Sequence, residues 1–142
     1  MYAKGLFSQK GGLKIPIKEY MINFKRLGIS FKCAFNGLVI AIKEEQTFKI
    51  QVIVGCFVLI LMFFLPLENV ERVILLLLIS LVLGMELINS QIERVLDFSH
   101  IGFHPKIKRI KDLSAAAVLV VSFGAAISGL IILYPALLKI LI

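Results

Sequence analysis

Cysteine and histidine are scarce in this chain, with two of each among 142 residues. Cys33 lies in a basic segment and Cys56 in an apolar run, so the pair does not suggest a disulfide framework. His100 and His104 have no cysteine or second ligand cluster nearby and fall short of a zinc site. The sequence therefore excludes both a disulfide-stabilised module and a structural zinc domain.

The nucleotide-binding signatures of soluble proteins are also missing. The sequence has no GxxxxGK[ST] loop, no GxGxxG fingerprint and no HRD or DFG motif. The pair Gly11-Gly12 is too short a signal to replace them. If the chain binds a nucleotide, it does so without a conventional nucleotide-binding fold.

Polar residues are too few for a soluble domain of this size. Hydrophobic residues make up 59% of the chain, against about 45–50% in a typical soluble domain. Three apolar stretches approach the length of about 17–25 residues that crosses a bilayer. We therefore predict an all-α membrane protein with transmembrane helices over about residues 50–67, 73–92 and 113–134.

Positive charge is distributed unevenly around these spans. Nine of the sixteen Lys and Arg residues precede residue 50, and five lie between Arg94 and Lys111. This positive-inside pattern predicts a multi-pass protein of the bacterial cytoplasmic membrane with a cytoplasmic N-terminus. The basic residues are then topology signals and partners of lipid headgroups, and we expect no nucleic-acid partner.

The segment before the first span has two parts. Residues 1–17 are predicted to be a flexible basic lead-in, and residues 18–142 a single membrane-embedded domain. Between Tyr20 and Phe35, aromatic and leucine side chains recur every three or four residues, which predicts an amphipathic helix on the inner leaflet. The same periodicity also suits a cytoplasmic helix that packs on another protein surface. Gly37 is expected to interrupt this helix.

The second span ends in a run of polar residues. Glu86, Asn89, Glu93 and Asp97 follow at helical spacing and, at about 100° per residue, lie within an arc of roughly 60–100°. Counted from Val73, Glu86 lies roughly 20 Å along the helix, inside a hydrocarbon core of about 30 Å. A solvated helix end would explain Asp97 and Glu93, but not the deeper Glu86 and Asn89. A carboxylate at that depth is costly and indicates function.

Two further features accompany this polar face. Glu44 and Glu45 lie at the entrance to the first span, where local sequence alone leaves Glu45 equally open to metal binding and to simple solvation. The third span is rich in Ala, Gly and Ser between Ser114 and Gly129, which favours close packing against other helices.

Together these motifs resemble the prokaryotic diacylglycerol kinase family, including its undecaprenol kinase branch. The resemblance covers Arg26 to the carboxyl end. It rests on Glu45 with Phe48, on Glu86-Leu87-Ile88-Asn89-Ser90 with Glu93 and Asp97, and on Lys111-Asp112 followed by Ala115-Ala116-Ala117-Val118. It implies a homotrimer of three-span subunits, each with an N-terminal amphipathic surface helix. Such an enzyme moves the γ-phosphate of ATP to a lipid hydroxyl at the cytoplasmic face, with Mg²⁺ as cofactor.

The resemblance also implies roles for individual residues. Glu86 matches the catalytic carboxylate, and removal from water makes its ionised form a better acceptor for the proton of an alcohol. Asn89 would hold the carboxylates or the γ-phosphate in register, and Lys111 matches a phosphate-binding lysine. Glu45 and Glu93 match the metal-binding pair. The implied ATP-binding residues are Arg26, Cys33, Glu45, Glu93, His104, Lys111 and Asp112.

The residues leave several alternatives open. Lys111 and Asp112 also fit a charge pair at a helix start, and His104 fits an ordinary loop histidine. Cys33 stands where some relatives carry an aromatic residue, and Gln51 where proteobacterial diacylglycerol kinases have an acid. The loop from His104 to Lys111 looks more like the Gram-positive branch. We expect diacylglycerol as the substrate, with undecaprenol as the alternative. A non-catalytic scaffold or sensor is a further alternative, which predicts loss of Glu86, Asn89 or Lys111, and none of them is lost.

Overall fold

The computed structural model describes residues 7–10, 13–16, 23–99, 102 and 104–141. Helices dominate, which confirms the all-α prediction. The bounds are α1 Phe24–Glu44, α2 Gln46–Phe64, α3 Asn69–Ser99 and α4 Pro105–Leu141. Two short strands, β1 Phe7–Lys10 and β2 Leu13–Pro16, pair antiparallel within the predicted lead-in, where no strand was expected.

The chain divides into two compact units, residues 1–37 and residues 38–142. The first contains the hairpin and the N-terminal part of α1. In that part, Asn23 caps the helix by accepting a hydrogen bond from the backbone N–H of Arg26 (3.2 Å). The predicted start of the amphipathic helix at Tyr20 lies outside the described residues.

Helix α1 continues through Gly37, so the predicted interruption there was wrong. A glycine inside a helix costs only about 0.5–1 kcal/mol relative to alanine, which the surrounding helical turns can offset. The helix instead ends at Glu44, and Glu45 alone is extended (φ −97°, ψ 111°) before α2 begins. This single non-helical residue places Glu45 at the junction of two helices.

Helices α2, α3 and α4 are each long and apolar enough to cross a membrane, which confirms the prediction of three spans. Helices α3 and α4 extend past both ends of the predicted spans, whereas α2 begins four residues earlier than predicted and ends three residues earlier, at Phe64. Helix α4 also runs through Pro135, since membrane helices tolerate proline where neighbouring groups satisfy the freed carbonyl.

In the second unit, α3 packs against both α2 and α4. A core cluster of Met62, Leu65, Leu67, Leu75 and Ala136 fixes one end of the three helices. The side chain of Arg72 also donates to the backbone oxygen of Leu67 (3.3 Å), which ties the α2–α3 turn to the start of α3. The polar residues of α3 lie toward its other end, because Glu86 is about 16 Å further along the helix than Leu75.

Candidate functional site

Glu86 is the centre of the polar region on α3. Only 4% of the residue is exposed, although it lies in an apolar helix. Its Oε2 accepts a hydrogen bond from Nε2 of Gln51 on α2 (3.1 Å). The two helices approach closely one turn away, where a Cβ on Gly55 would lie 3.2 Å from Cγ2 of Ile79. This close approach lets an amide on α2 reach a carboxylate on α3.

Asn89 and Ser90 are buried on the same helix. The Nδ2 of Asn89 donates to Oε1 of Glu93 (3.2 Å), one turn further on. Its Oδ1 is buried and has no hydrogen-bond partner. Asn89 thus fixes Glu93 and leaves an oxygen acceptor beside it.

Glu45 joins this group from the α1–α2 junction. Both Glu45 and Glu93 lie close enough to Glu86 for their charges to act on it. The guanidinium of Arg94 contacts Oε1 of Glu45 (2.6 Å from Nη2 and 3.2 Å from Nε) and Oε2 of Glu44 (2.9 Å). The fold therefore brings one carboxylate from the α1–α2 junction within electrostatic reach of Glu86 on α3.

Lys111 and Asp112 do not interact as the simple charge pair considered above. Lys111 Nζ instead contacts Oδ1 of Asp97, on the last turns of α3 (2.5 Å). The Lys111 side chain is 31% exposed, whereas Asp112 is an exposed residue. The ion pair brings the ammonium group of α4 to the polar end of α3.

His104 lies just before α4 and caps its first turn. Its Nδ1 accepts the backbone N–H of Lys106 (3.3 Å), and its carbonyl oxygen accepts that of Lys108 (3.1 Å). His104 therefore has a structural role at the start of α4, whether or not it also contacts a nucleotide. Arg26 and Cys33 are exposed on the part of α1 that belongs to the first unit, and their nucleotide-binding roles stay predictions.

The donor set suits a magnesium ion that substrate phosphates also coordinate. Within the described ranges, no group of three or more His, Cys, Asp or Glu residues could hold a metal unaided. Mg²⁺ is typically bound by one or two carboxylates plus phosphate oxygens and water. Glu45, Glu93 and the unpartnered Oδ1 of Asn89 supply hard oxygen atoms of this kind.

A partly open cavity of about 410 Å³ lies between α2, α3 and α4. Its walls are apolar except for Gln51, the residue that contacts Glu86. Apolar lining residues include Gly55 and Val58 of α2, Ile79 and Leu83 of α3, and Gly129 of α4. The buried carboxylate and the apolar space therefore meet at one side chain.

Two residues of this site had no assigned role in the sequence interpretation. From the sequence, Arg94 is only a topology signal and Gln51 only a departure from relatives. Their partners lie 49 and 35 residues away in the chain, so no local spacing pattern pointed to them. A polar residue inside an apolar span was the available signal for Gln51.

Comparison with known proteins agrees with the motifs. Residues 32–133 match the family profile described as Prokaryotic diacylglycerol kinase. The chain is 33% identical over 120 residues to the undecaprenol kinase of Bacillus subtilis (strain 168), covering 84% of this chain and 98% of that protein. It is 38% identical over 110 residues to the diacylglycerol kinase of Helicobacter pylori (strain J99), covering 75% and 82%. A diacylglycerol kinase of Synechocystis is 31% identical over 138 residues, covering 95% and 78%.

Proposed function

The chain belongs to the prokaryotic diacylglycerol kinase family, and we infer from this that it is a lipid kinase that uses ATP. We propose diacylglycerol as the acceptor, which yields phosphatidic acid. Undecaprenol is the second candidate, supported by the relative of that activity in Bacillus subtilis. Both are apolar molecules with a terminal hydroxyl group, so the same chemistry serves either one.

The contact of Gln51 with Glu86 carries this proposal. A carboxylate that is 4% exposed meets an apolar cavity at Gln51. A water-soluble alcohol would gain nothing from apolar walls, whereas a lipid chain gains free energy from contact with them. The arrangement supports an acceptor that arrives from the membrane with its hydroxyl group toward Glu86.

In the proposed reaction, Glu86 acts as general base. The lipid O–H bond breaks and its proton passes to the Glu86 carboxylate. The lipid oxygen forms a bond to the γ-phosphorus as the bond from that phosphorus to the β–γ bridging oxygen breaks, and ADP leaves. Asn89 holds Glu93 through its 3.2 Å hydrogen bond and so keeps the neighbouring carboxylate in place.

The remaining polar residues are proposed to bind ATP and Mg²⁺. Lys111 would contact phosphate, and its present partner Asp97 holds the ammonium group near the end of α3. Glu45 and Glu93 would bind Mg²⁺, which when bound neutralises charge on the phosphates. Arg26, Cys33, His104 and Asp112 are proposed as further ATP-binding residues because the family resemblance implies them.

We further propose that the protein works as a homotrimer in the bacterial cytoplasmic membrane, with its N-terminus in the cytoplasm. The distribution of Lys and Arg supports this orientation. The small residues of α4 are compatible with close packing between helices.

The acceptor can be identified by a direct competition. Purified protein in mixed micelles, with labelled ATP, Mg²⁺ and equal amounts of diacylglycerol and undecaprenol, is expected to label diacylglycerol in preference. Preferential labelling of undecaprenol would show that undecaprenol is the acceptor, and the assignment as a lipid kinase would still hold. Transfer to neither lipid, from protein shown to be folded, would favour a non-catalytic scaffold or sensor.

Removing the ammonium group of Lys111 should weaken ATP binding. Lys111→Met is expected to raise the KM for ATP by about 10-fold or more, as loss of a charge-assisted contact of about 1.5–3 kcal/mol predicts. Steady-state kinetics over a range of ATP concentrations measures this. Lys108→Met is the control, because Lys108 is exposed on the same helix. An unchanged KM and kcat in Lys111→Met would show that Lys111 is not part of the ATP-binding site.

A further inference from the structure

Gln51 contributes a polar side chain to an otherwise apolar surface. It lies in α2 and lines the cavity between the spanning helices, where its neighbours are aliphatic. Its Oε1 is buried and has no hydrogen-bond partner. If this position served only for packing, an apolar side chain would be more stable there, because a buried polar atom without a hydrogen-bond partner is destabilising. The contact to Glu86 is the interaction that accounts for an amide at this position.

The hydrogen bond between Gln51 and Glu86 has a defined direction. An ionised carboxylate only accepts hydrogen bonds, so the Nε2 group of Gln51 donates to Oε2 of Glu86. This bond restricts rotation of the carboxylate and engages one of its two oxygens. The other oxygen, Oε1, is then left to accept the proton of an incoming hydroxyl group.

We propose that Gln51 is a positioning residue for the phosphoryl transfer and aims the Glu86 carboxylate at the lipid hydroxyl group. This inference rests on the proposed function of Glu86 as base. Gln51 itself neither gains nor loses a proton, and the bonds made and broken are those of the reaction above. Because Gln51 also lines the cavity, the same side chain would contact both the lipid chain and the Glu86 base.

A positioning role predicts a specific kinetic pattern. Gln51→Met keeps the length of the side chain but removes the donor, and should lower kcat by about 10–100-fold, since small misplacements of reacting groups cost rates of this order. The KM values for ATP and for the lipid should change by less than about twofold, because ground-state binding is not the affected step. Gln51→His supplies another N–H donor and should restore much of kcat.

The matched control is Gln91→Met, which makes the same chemical change at an exposed residue of α3. It should behave as the wild type. Gln51→Met with normal kcat, or with a raised lipid KM and normal kcat, would overturn the positioning role. Failure of the wild type to phosphorylate any lipid alcohol would overturn the proposed function instead, so the two failures are distinguishable.

Folding of each variant is checked by circular dichroism and elution from a gel-filtration column. If Gln51→Met does not fold, Gln51→His is compared with Gln51→Leu, whose side chain cannot donate a hydrogen bond. A kcat for Gln51→His at least tenfold above that of Gln51→Leu supports the inference. Equal kcat values would contradict it.

Discussion

Glu86→Gln is expected to abolish measurable turnover while the protein remains folded. Glutamine has nearly the same shape as glutamate and can still form a hydrogen bond with Gln51, which now lies 3.1 Å from Oε2 of Glu86. It cannot accept the proton of the lipid hydroxyl group at neutral pH. Loss of a general base typically lowers the rate by about 10²–10⁴-fold. Transfer from labelled ATP to the preferred lipid, measured with saturating substrates, tests this.

The comparison variant is Glu68→Gln, which makes the same change in the exposed turn before α3, away from the polar end of that helix. It should retain wild-type activity. A thermal melt and gel filtration of both variants establish that the loss in Glu86→Gln is not loss of fold. Purified Glu86→Gln with activity near that of the wild type would exclude Glu86 as the base.

The polar face of α3 could be read from the sequence because one helix supplies all of it. Glu86, Asn89 and Glu93 follow helical spacing, and an apolar run before them gave their depth. The structure places Glu86 and Asn89 among the buried residues and links Asn89 to Glu93. Local periodicity is enough to predict contacts of this kind, within one or two turns of a helix.

Contacts between helices could not be predicted in the same way. The pairing of Arg94 with Glu45 and that of Gln51 with Glu86 depend on how α2 and α3 pack. The two helices approach closely at Gly55, and spacing within either helix does not encode that contact. The motif resemblance brought Glu45 and Glu93 together, but it assigned no partner to Arg94.

Helix ends were the least predictable feature of the fold. Gly37 does not stop α1, because the cost of one helical glycine is small compared with the cooperative hydrogen bonding of a long helix. The helix is interrupted at Glu45 instead, eight residues later in the sequence. Composition gave no reason to prefer Glu45 over its neighbours. The break nevertheless matters for the site, because it places the Glu45 carboxylate near Glu86.

Glu45→Ala and Glu93→Ala should each raise the Mg²⁺ concentration needed for half-maximal activity. Each change removes one of the two carboxylates proposed to hold the ion, and Mg²⁺ relies on few protein ligands. Loss of one charged ligand is expected to cost about 10–100-fold in apparent affinity, in the range found for altered metal sites. A titration of activity against Mg²⁺ at constant free ATP measures the shift.

Glu44→Ala separates metal binding from the ion pair with Arg94. Arg94 contacts Glu44 at 2.9 Å and Glu45 at 2.6 Å, so either substitution removes one of its partners. Such exposed pairs contribute only about 0–1 kcal/mol. If Glu45 acts through Arg94 alone, Glu44→Ala and Glu45→Ala will show equal Mg²⁺ titrations. If Glu45 is a ligand, only Glu45→Ala and Glu93→Ala will shift the titration, and Glu44→Ala will follow the wild type. A wild-type titration in Glu45→Ala or Glu93→Ala would show that the substituted residue is not a metal ligand.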